Sequence, residues 1–146
     1  MIGRDVLAGF LPVGLWEDRN VAESELAWLA EAEAALTRAR TMELEQRYAS
    51  ACFEAWQCAR YVLRGLYATR QKEPQGASIA ALLRSLQPEV RGDLLARAES
   101  LDALFELQKS TGYCSALRCQ VAIESAHAIV SFVRDALTDP PRGRTT

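Results

Sequence analysis

A row of aromatic and basic side chains between residues 53 and 67 is the part of this sequence best suited to bind a ligand. Its members are Phe53, Trp56, Arg60, Arg64 and Tyr67. They are spaced three or four residues apart, so they share one side of a helix. Paired planar guanidinium groups beside aromatic rings suit a phosphate, a base or the carboxylates of a partner. The alternative is that the rings are core or dimer contacts and the arginines are solvated.

A second candidate is the stretch STGYCS at residues 110–115, which joins two helical patterns. It contains no acid or base suited to catalysis. Gly112 can adopt the left-handed backbone that ends a helix, and Ser115 can cap the next one. The stretch is therefore interpreted as a turn. A functional role there would belong to Tyr113 as a stacking surface, together with Lys109.

Candidates for catalysis are weaker. The single histidine, His127, lies on an apolar helical pattern. A general base needs an orienting partner and a nucleophile within reach, and Glu124 is only close in sequence. Cys114 precedes a predicted helix, whose N-terminus could lower the pKa of its thiol, but no base is adjacent. No catalytic residue is predicted.

The composition argues against several classes of protein. The net charge is −2, so no overall basic field indicates nucleic acid as a partner. The four cysteines form no CxxC pair and only one histidine is present, so neither a zinc site nor any other cofactor is predicted. Free thiols in a cytoplasmic protein are the expectation. No apolar run reaches the ~18 residues of a membrane-spanning helix.

The elements that must position these residues are helices. The length of 146 residues suits one domain. From Val21 onwards apolar residues recur with a period near 3.6, while alternation is never sustained. Five helices are predicted at roughly 21–40, 43–71, 77–86, 90–109 and 116–137, the first capped by Asn20. Short connections favour antiparallel neighbours, so the predicted fold is all-α, an up-and-down helical bundle.

The ends of the chain lack this period. Residues 1–20 are interpreted as an irregular N-terminal arm, residues 21–138 as the helical domain and residues 139–146 as a disordered tail. The arm resembles a signal peptide faintly, but Pro12 and Gly14 interrupt its apolar run. An irregular arm, or a piece of a longer parent chain, is the preferred interpretation.

Four phrases in the sequence resemble those of a known family. WLAEAEAALTRAR (28–40) and YASACFEAWQCARYVLRGLY (48–67) are similar to its first two helices. QGASIAALLRSL (75–86) resembles its Gly-His-Ser segment with a short helix. RAESLDALFELQKSTGY (97–113) resembles its fourth-helix phrase, which ends in Arg-Tyr-Pro-Asp. The family is the HEPN domain (higher eukaryotes and prokaryotes nucleotide-binding), and the likeness covers roughly residues 22–137.

Many members of that family are ribonucleases, and this chain departs from them at the residues of the catalytic motif. In the motif of those members, an arginine is followed by a histidine after four to six intervening residues. The two side chains act together across the cleft of a dimer. Here Arg118 precedes His127 with eight residues between, which places the two half a turn out of phase on a helix. Ala77 replaces the histidine of the Gly-His-Ser segment, and of Arg-Tyr-Pro-Asp only Tyr113 remains. The ribonuclease motif is absent.

The resemblance therefore implies a non-catalytic HEPN-like module that forms a homodimer and binds a nucleotide or polyphosphate. The predicted ligand-binding residues are Arg60, Arg64, Lys109 and Tyr113. The family also implies a place within a larger protein, or a nucleotidyltransferase as partner. Two alternatives stay open: a divergent ribonuclease toxin of a toxin–antitoxin pair, using His127 and an arginine of the other subunit, and a purely structural dimeriser with no ligand.

Overall fold

Five α-helices follow one another in the computed structural model, which describes residues 18–86 and 92–138, with side chains from residue 27 onwards. They are α1 (Asp18–Leu44), α2 (Tyr48–Thr69), α3 (Ile79–Leu86), α4 (Gly92–Thr111) and α5 (Ala116–Thr138). No strand occurs in these two ranges. The predicted all-α helical bundle is confirmed. The predicted tail at 139–146, and residues 1–17 of the predicted arm, lie outside the described residues.

The largest differences from the predicted helix boundaries are in α1 and at the start of α2. The first helix begins at Asp18, so Asn20 lies inside it and does not cap it. It also continues to Leu44, and the second helix starts only at Tyr48. The reason is Gln46, whose φ of 63° is left-handed and interrupts the helical backbone between them. The sequence marks this site with neither glycine nor proline.

The core lies between α2 and α5, with α1, α3 and α4 packed around them. Ten residues of α2 are buried and form its core-facing side. One of them is Gly65, where an added Cβ would come within 2.8 Å of the Trp28 ring of α1. This absence of a side chain lets α1 pack closely against α2. On α5, the apolar stripe from Ala122 to Val133 is buried.

The last helix is also apolar and long enough to resemble a membrane span. The segment Ala116–Leu137 meets a length and hydropathy criterion, with a mean hydropathy of 1.2. Several of its large side chains, including Ile123, Ile129 and Val133, are fully buried against the other helices. A core helix of this kind meets the same criterion, so the segment is weak evidence for a membrane protein.

The turn between α4 and α5 has the predicted structure. Gly112 has a φ of 72° and its N–H bonds to the carbonyl of Gln108 at 2.7 Å, which ends α4. The Ser115 hydroxyl accepts a hydrogen bond from the N–H of Arg118 at 3.1 Å, which caps α5. Both details of the turn are confirmed.

Candidate functional site

An aromatic cluster lies between α2 and α4. The rings of Trp56 and Phe105 stack with centroids 3.9 Å apart and planes inclined by 8°. Phe53, one turn before Trp56, lies 6.0 Å from Phe105 and is 40% exposed. Two of the three rings come from the row on α2, and the third comes from the helix that faces it. The cluster is a partly exposed platform of three rings.

The carboxylate of Asp102 on α4 holds this platform to α3. Oδ1 accepts hydrogen bonds from Trp56 Nε1 at 3.0 Å and from the Ile79 N–H at 2.9 Å. Oδ2 accepts one from the Ala80 N–H at 2.9 Å. Two of these donors are backbone N–H groups in the first turn of α3, which have no acceptor within the helix itself. A negative charge is also favourable at this end of a helix. The Ser78 hydroxyl caps the same helix by accepting from the Ala81 N–H.

Asp102 is absent from the residues that the sequence predicts. Its signal is weak: it is a single acid next to the apolar stripe of α4, between Leu101 and Phe105. Acids in that position are common on helix surfaces. Its three donors come from two other helices, so only the tertiary structure reveals their convergence.

Arg60 rests against the platform. Its guanidinium carbon lies over the Trp56 ring, 5.7 Å from the centroid, and its Nε donates to the carbonyl of Ala77 at 3.2 Å. Partial burial, and then the like charge of Arg64, lower the pKa of Arg60. Arg64 itself is exposed one turn further along α2. Among the described residues no carboxylate forms an ion pair with either arginine.

Lys109 lies on the other side of the platform. Its Nζ is placed over the Phe105 ring, 5.4 Å from the centroid, and 3.7 Å from a carboxylate oxygen of Glu106. Both side chains of this ion pair are mostly exposed, so it contributes little to stability. The order along the platform is thus Arg60, Trp56, Phe105 and Lys109. The two cations do not converge on one point.

Tyr113 lies at a different place. It is 61% exposed in the turn between α4 and α5, and it lines an open concavity of about 340 Å³ with residues 46–50 at the start of α2. From Ser50 to Arg60 the helix rises roughly 15 Å at 1.5 Å per residue. The structure therefore does not bring Tyr113 to the Arg60–Arg64 pair within one protomer.

The last member of the predicted row, Tyr67, does not belong to the surface. It is completely buried, and its hydroxyl donates to the carbonyl of Leu82 on α3 at 2.8 Å. Helical spacing places it beside Arg64, but α3 covers that position. The row therefore ends at Arg64, and Tyr67 is a core residue that ties α2 to α3.

The residues considered for catalysis are not assembled. Arg118 and His127 are both exposed on α5, separated by nine positions, which is about 13.5 Å along the helix axis. A lowered pKa, which the helix N-terminus could have given Cys114, is not found. Burial raises the pKa of this thiol, and the lowering effects of Cys52 and Arg118 are smaller.

The other three thiols are buried as well. Burial raises the pKa of Cys52, Cys58 and Cys119 to about 12. Cys58 donates its S–H to the carbonyl of Ala32 at 3.1 Å. Within the described residues, no group of three or more histidine, cysteine or acidic side chains could hold a metal ion. The four buried cysteines are accounted for by packing.

Comparison with known proteins gives a consistent result. The sequence model of the HEPN domain matches residues 26–136. A HEPN domain protein from Thermotoga maritima has a similar structure, with a TM-score of 0.64 and 21% identity over 77% of this chain and 98% of its own. A protein from Thermus thermophilus has a TM-score of 0.66 and 29% identity, over 76% of this chain and 96% of its own.

A third solved structure, of an archaeal HEPN homologue, has a TM-score of 0.62 and 25% identity, over 75% of this chain and 94% of its own. No curated protein matches this chain. The family match covers most of the chain and spans all five helices, including the platform and both arginines. The chain therefore belongs to the HEPN domain family.

Proposed function

We propose that this chain is a non-catalytic HEPN domain that binds the phosphate groups of a nucleotide or polyphosphate and forms a homodimer. The observation that carries phosphate binding is the pair of adjacent guanidinium groups of Arg60 and Arg64. Neither has a carboxylate partner among residues 27–86 and 92–138. Guanidinium groups are the side chains best matched to phosphate oxygens.

The fixed position of Arg60 supports this assignment. The Trp56 ring and the Ala77 carbonyl hold the guanidinium by its face and by Nε. The two terminal nitrogens have no hydrogen-bond partner among the described residues, so they are available to an incoming anion. Since Arg60 is already ordered, binding costs less side-chain entropy there than at an ordinary surface arginine.

The same geometry favours phosphate over a stacked base. Trp56 and Phe105 cover each other, and each also has a cation over its ring. A nucleobase would have to displace one of these contacts in order to stack on them. Phe53 is the aromatic side chain of the cluster with the most exposed surface. Lys109 lies beyond Phe105, so we expect it to matter for a chain of several phosphates.

A thermal-shift panel tests phosphate binding, because a ligand of the native state raises the melting temperature by mass action. The panel contains ATP, ADP, AMP, GTP, tripolyphosphate and a short RNA. We expect a dose-dependent rise with ATP and tripolyphosphate, a smaller rise with AMP and loss of the rise in Arg60→Glu/Arg64→Glu. The matched control is Arg40→Glu/Arg97→Glu, which changes the net charge equally at two other exposed arginines.

If the control variant loses the response as completely as Arg60→Glu/Arg64→Glu, the response comes from net charge and not from a site. A flat panel with a folded wild-type protein contradicts phosphate binding. In that case the purely structural dimeriser is the better account.

Homodimer formation is supported by exposed apolar side chains at one end of the bundle. The large exposed ones are Leu44, Phe53, Tyr113, Leu117 and Val121. They belong to the end of α1, the first turns of α2, the turn after α4 and the start of α5. Residues 46–50 and 112–114 line one concavity, so these segments lie together at one end of the bundle, here called the apolar end. Apolar surface concentrated in this way is typical of an interaction site.

Light scattering with a variant of Leu117 tests this interface. Leu117 is 69% exposed, so Leu117→Glu removes apolar surface without disturbing the core. We expect the wild type to have the mass of a dimer and Leu117→Glu that of a monomer. Ala96→Glu, which adds the same charge to an exposed position on α4, should stay dimeric. A wild-type monomer at high concentration contradicts the proposal.

The ribonuclease alternative has one supporting observation, which is that His127 is exposed and could be reached by a second protomer. Incubation of the wild type and His127→Ala with a mixed RNA substrate decides it. We expect no cleavage by either protein. Cleavage by the wild type that is lost in His127→Ala would establish an enzyme in place of a binding module.

A further inference from the structure

We infer that Asp102 is a positioning residue for the phosphate site, because it fixes both groups that hold Arg60. This inference rests on the proposed function for its consequence in binding, although its structural part can be tested alone. Asp102 does not touch a ligand placed at the arginine pair. It acts through Trp56 and through the start of α3.

Each contact of Arg60 depends on the same carboxylate. The Trp56 ring under the guanidinium is oriented by the hydrogen bond from its Nε1 to Asp102 Oδ1, 3.0 Å long. The Ala77 carbonyl that accepts from Arg60 Nε lies two residues before Ile79, whose N–H is bound by the same oxygen. One side chain on α4 therefore fixes the ring on α2 and the carbonyl before α3.

The donor count explains why an aspartate is required. The carboxylate accepts three hydrogen bonds, two at Oδ1 and one at Oδ2. An asparagine has the same shape but offers one oxygen, and its NH2 group would face an N–H donor. Asp102→Asn therefore breaks at least one of the three bonds with almost no change in volume. It also removes the negative charge at the N-terminus of α3.

The simpler account is that Asp102 only caps α3 and stabilises the fold. Ser78→Ala provides the comparison, because it removes the other cap of α3, the acceptor of the Ala81 N–H, without touching Trp56. Both variants should lower the melting temperature. If Asp102 positions Arg60, only Asp102→Asn should also change the contacts of the Arg60 guanidinium and the affinity of the folded protein for tripolyphosphate.

A double-mutant cycle with tripolyphosphate measures the effect on binding, by titration calorimetry well below the melting temperature. We expect Asp102→Asn to weaken binding about fivefold to tenfold in the wild-type background and to have little effect in Arg60→Ala, since Asp102 acts on the ligand only through Arg60. Ser78→Ala should bind as the wild type does. Equal weakening by Asp102→Asn in both backgrounds, or none in either, overturns the inference.

A second readout needs no ligand. In nitrogen-15 NMR spectra, the Nε–H of Arg60 should give a signal protected from solvent exchange, because it donates to the Ala77 carbonyl. We expect Asp102→Asn to lose this protection and to shift the Trp56 indole signal, and Ser78→Ala to retain both. Asp102→Asn with an unchanged Arg60 signal contradicts the inference.

The two readouts separate the two failures. A wild type that does not bind tripolyphosphate, but whose Arg60 signal depends on Asp102, refutes the proposed ligand and leaves the positioning role intact. If Asp102→Asn does not fold, Asp102→Glu replaces it, because the longer side chain keeps the charge but displaces the oxygen that accepts from Trp56 and Ile79. The Arg60 signal should then weaken; full protection in Asp102→Glu overturns the inference.

Discussion

The middle of α2 and its first turn lie in very different surroundings. Around Trp56 and Arg60, stacked rings, a carboxylate with three donors and a backbone carbonyl fix each side chain. Near the first turn of α2, Tyr113 is 61% exposed and the helix has no side-chain cap. Ordered polar contacts suit recognition of a charged group, whereas exposed apolar surface suits a protein partner.

The largest expected difference is between Asp102 and Glu106, two acids of α4, in their contribution to stability. Asp102→Ala leaves an indole N–H and two backbone N–H groups without their acceptor, so we expect the free energy of unfolding to fall by about 3 kcal/mol. Glu106→Ala, on the same helix, removes only an exposed ion pair and should cost less than about 1 kcal/mol. Urea unfolding of both variants measures the difference. Similar values for the two would show that the Asp102 contacts are weak.

The next largest difference is expected between two glycines, one in the turn between α4 and α5 and one at the start of α4. Gly112 has a φ of 72° with no atom near the place of a Cβ, so Gly112→Ala carries the cost of left-handed backbone alone. We expect a loss of about 1–2 kcal/mol. Gly92→Ala, at the start of α4 in equally open space, should lose nothing. If chemical denaturation gives equal values, strain does not set the shape of this turn.

The same substitution at two tyrosines compares the core with the apolar end. Tyr67→Phe removes a buried hydroxyl together with its hydrogen bond to the carbonyl of Leu82. We expect a cost of about 1 kcal/mol. Tyr113→Phe removes an exposed hydroxyl and should be neutral within about 0.5 kcal/mol. Melting curves that show the reverse order would contradict the burial described here.

The smallest effect is expected from the thiols at neutral pH. Burial raises the pKa of Cys52 to about 12, so the native thiol stays protonated while the unfolded one ionises near pH 9. Stability from this group is present below pH 9 and is lost as the pH rises towards 12. We therefore expect no labelling of the native protein by a thiol reagent at about pH 7.5. Rapid labelling before unfolding would indicate an accessible thiolate.

Much of the fold follows from the sequence because helices are local structures. The period of 3.6 predicts all five helices, and the glycine and serine of the turn have the roles that their residue types indicate. The break at Gln46 is not predicted, since no glycine or proline marks it. Tyr67 is misplaced because helical spacing assigns a residue to a side of its own helix, and says nothing about the α3 segment that covers it.

The candidate site is only partly predictable for the same reason. The pair Arg60 and Arg64 is a local feature of one helix, and it is adjacent in the structure. Lys109 and Tyr113 come from another part of the chain, and spacing gives no distance between them and α2. Asp102 becomes apparent only when three helices are assembled around it.

The account is tested most directly by mapping tripolyphosphate onto the folded protein with amide chemical shifts from NMR. We predict shifts confined to residues near Arg60, Arg64 and Ala77, which disappear in Arg60→Glu/Arg64→Glu and persist in Arg40→Glu/Arg97→Glu. Shifts centred on Tyr113 and the first turn of α2 would contradict the division between the middle and the first turn of this helix. No shifts anywhere would contradict phosphate binding itself.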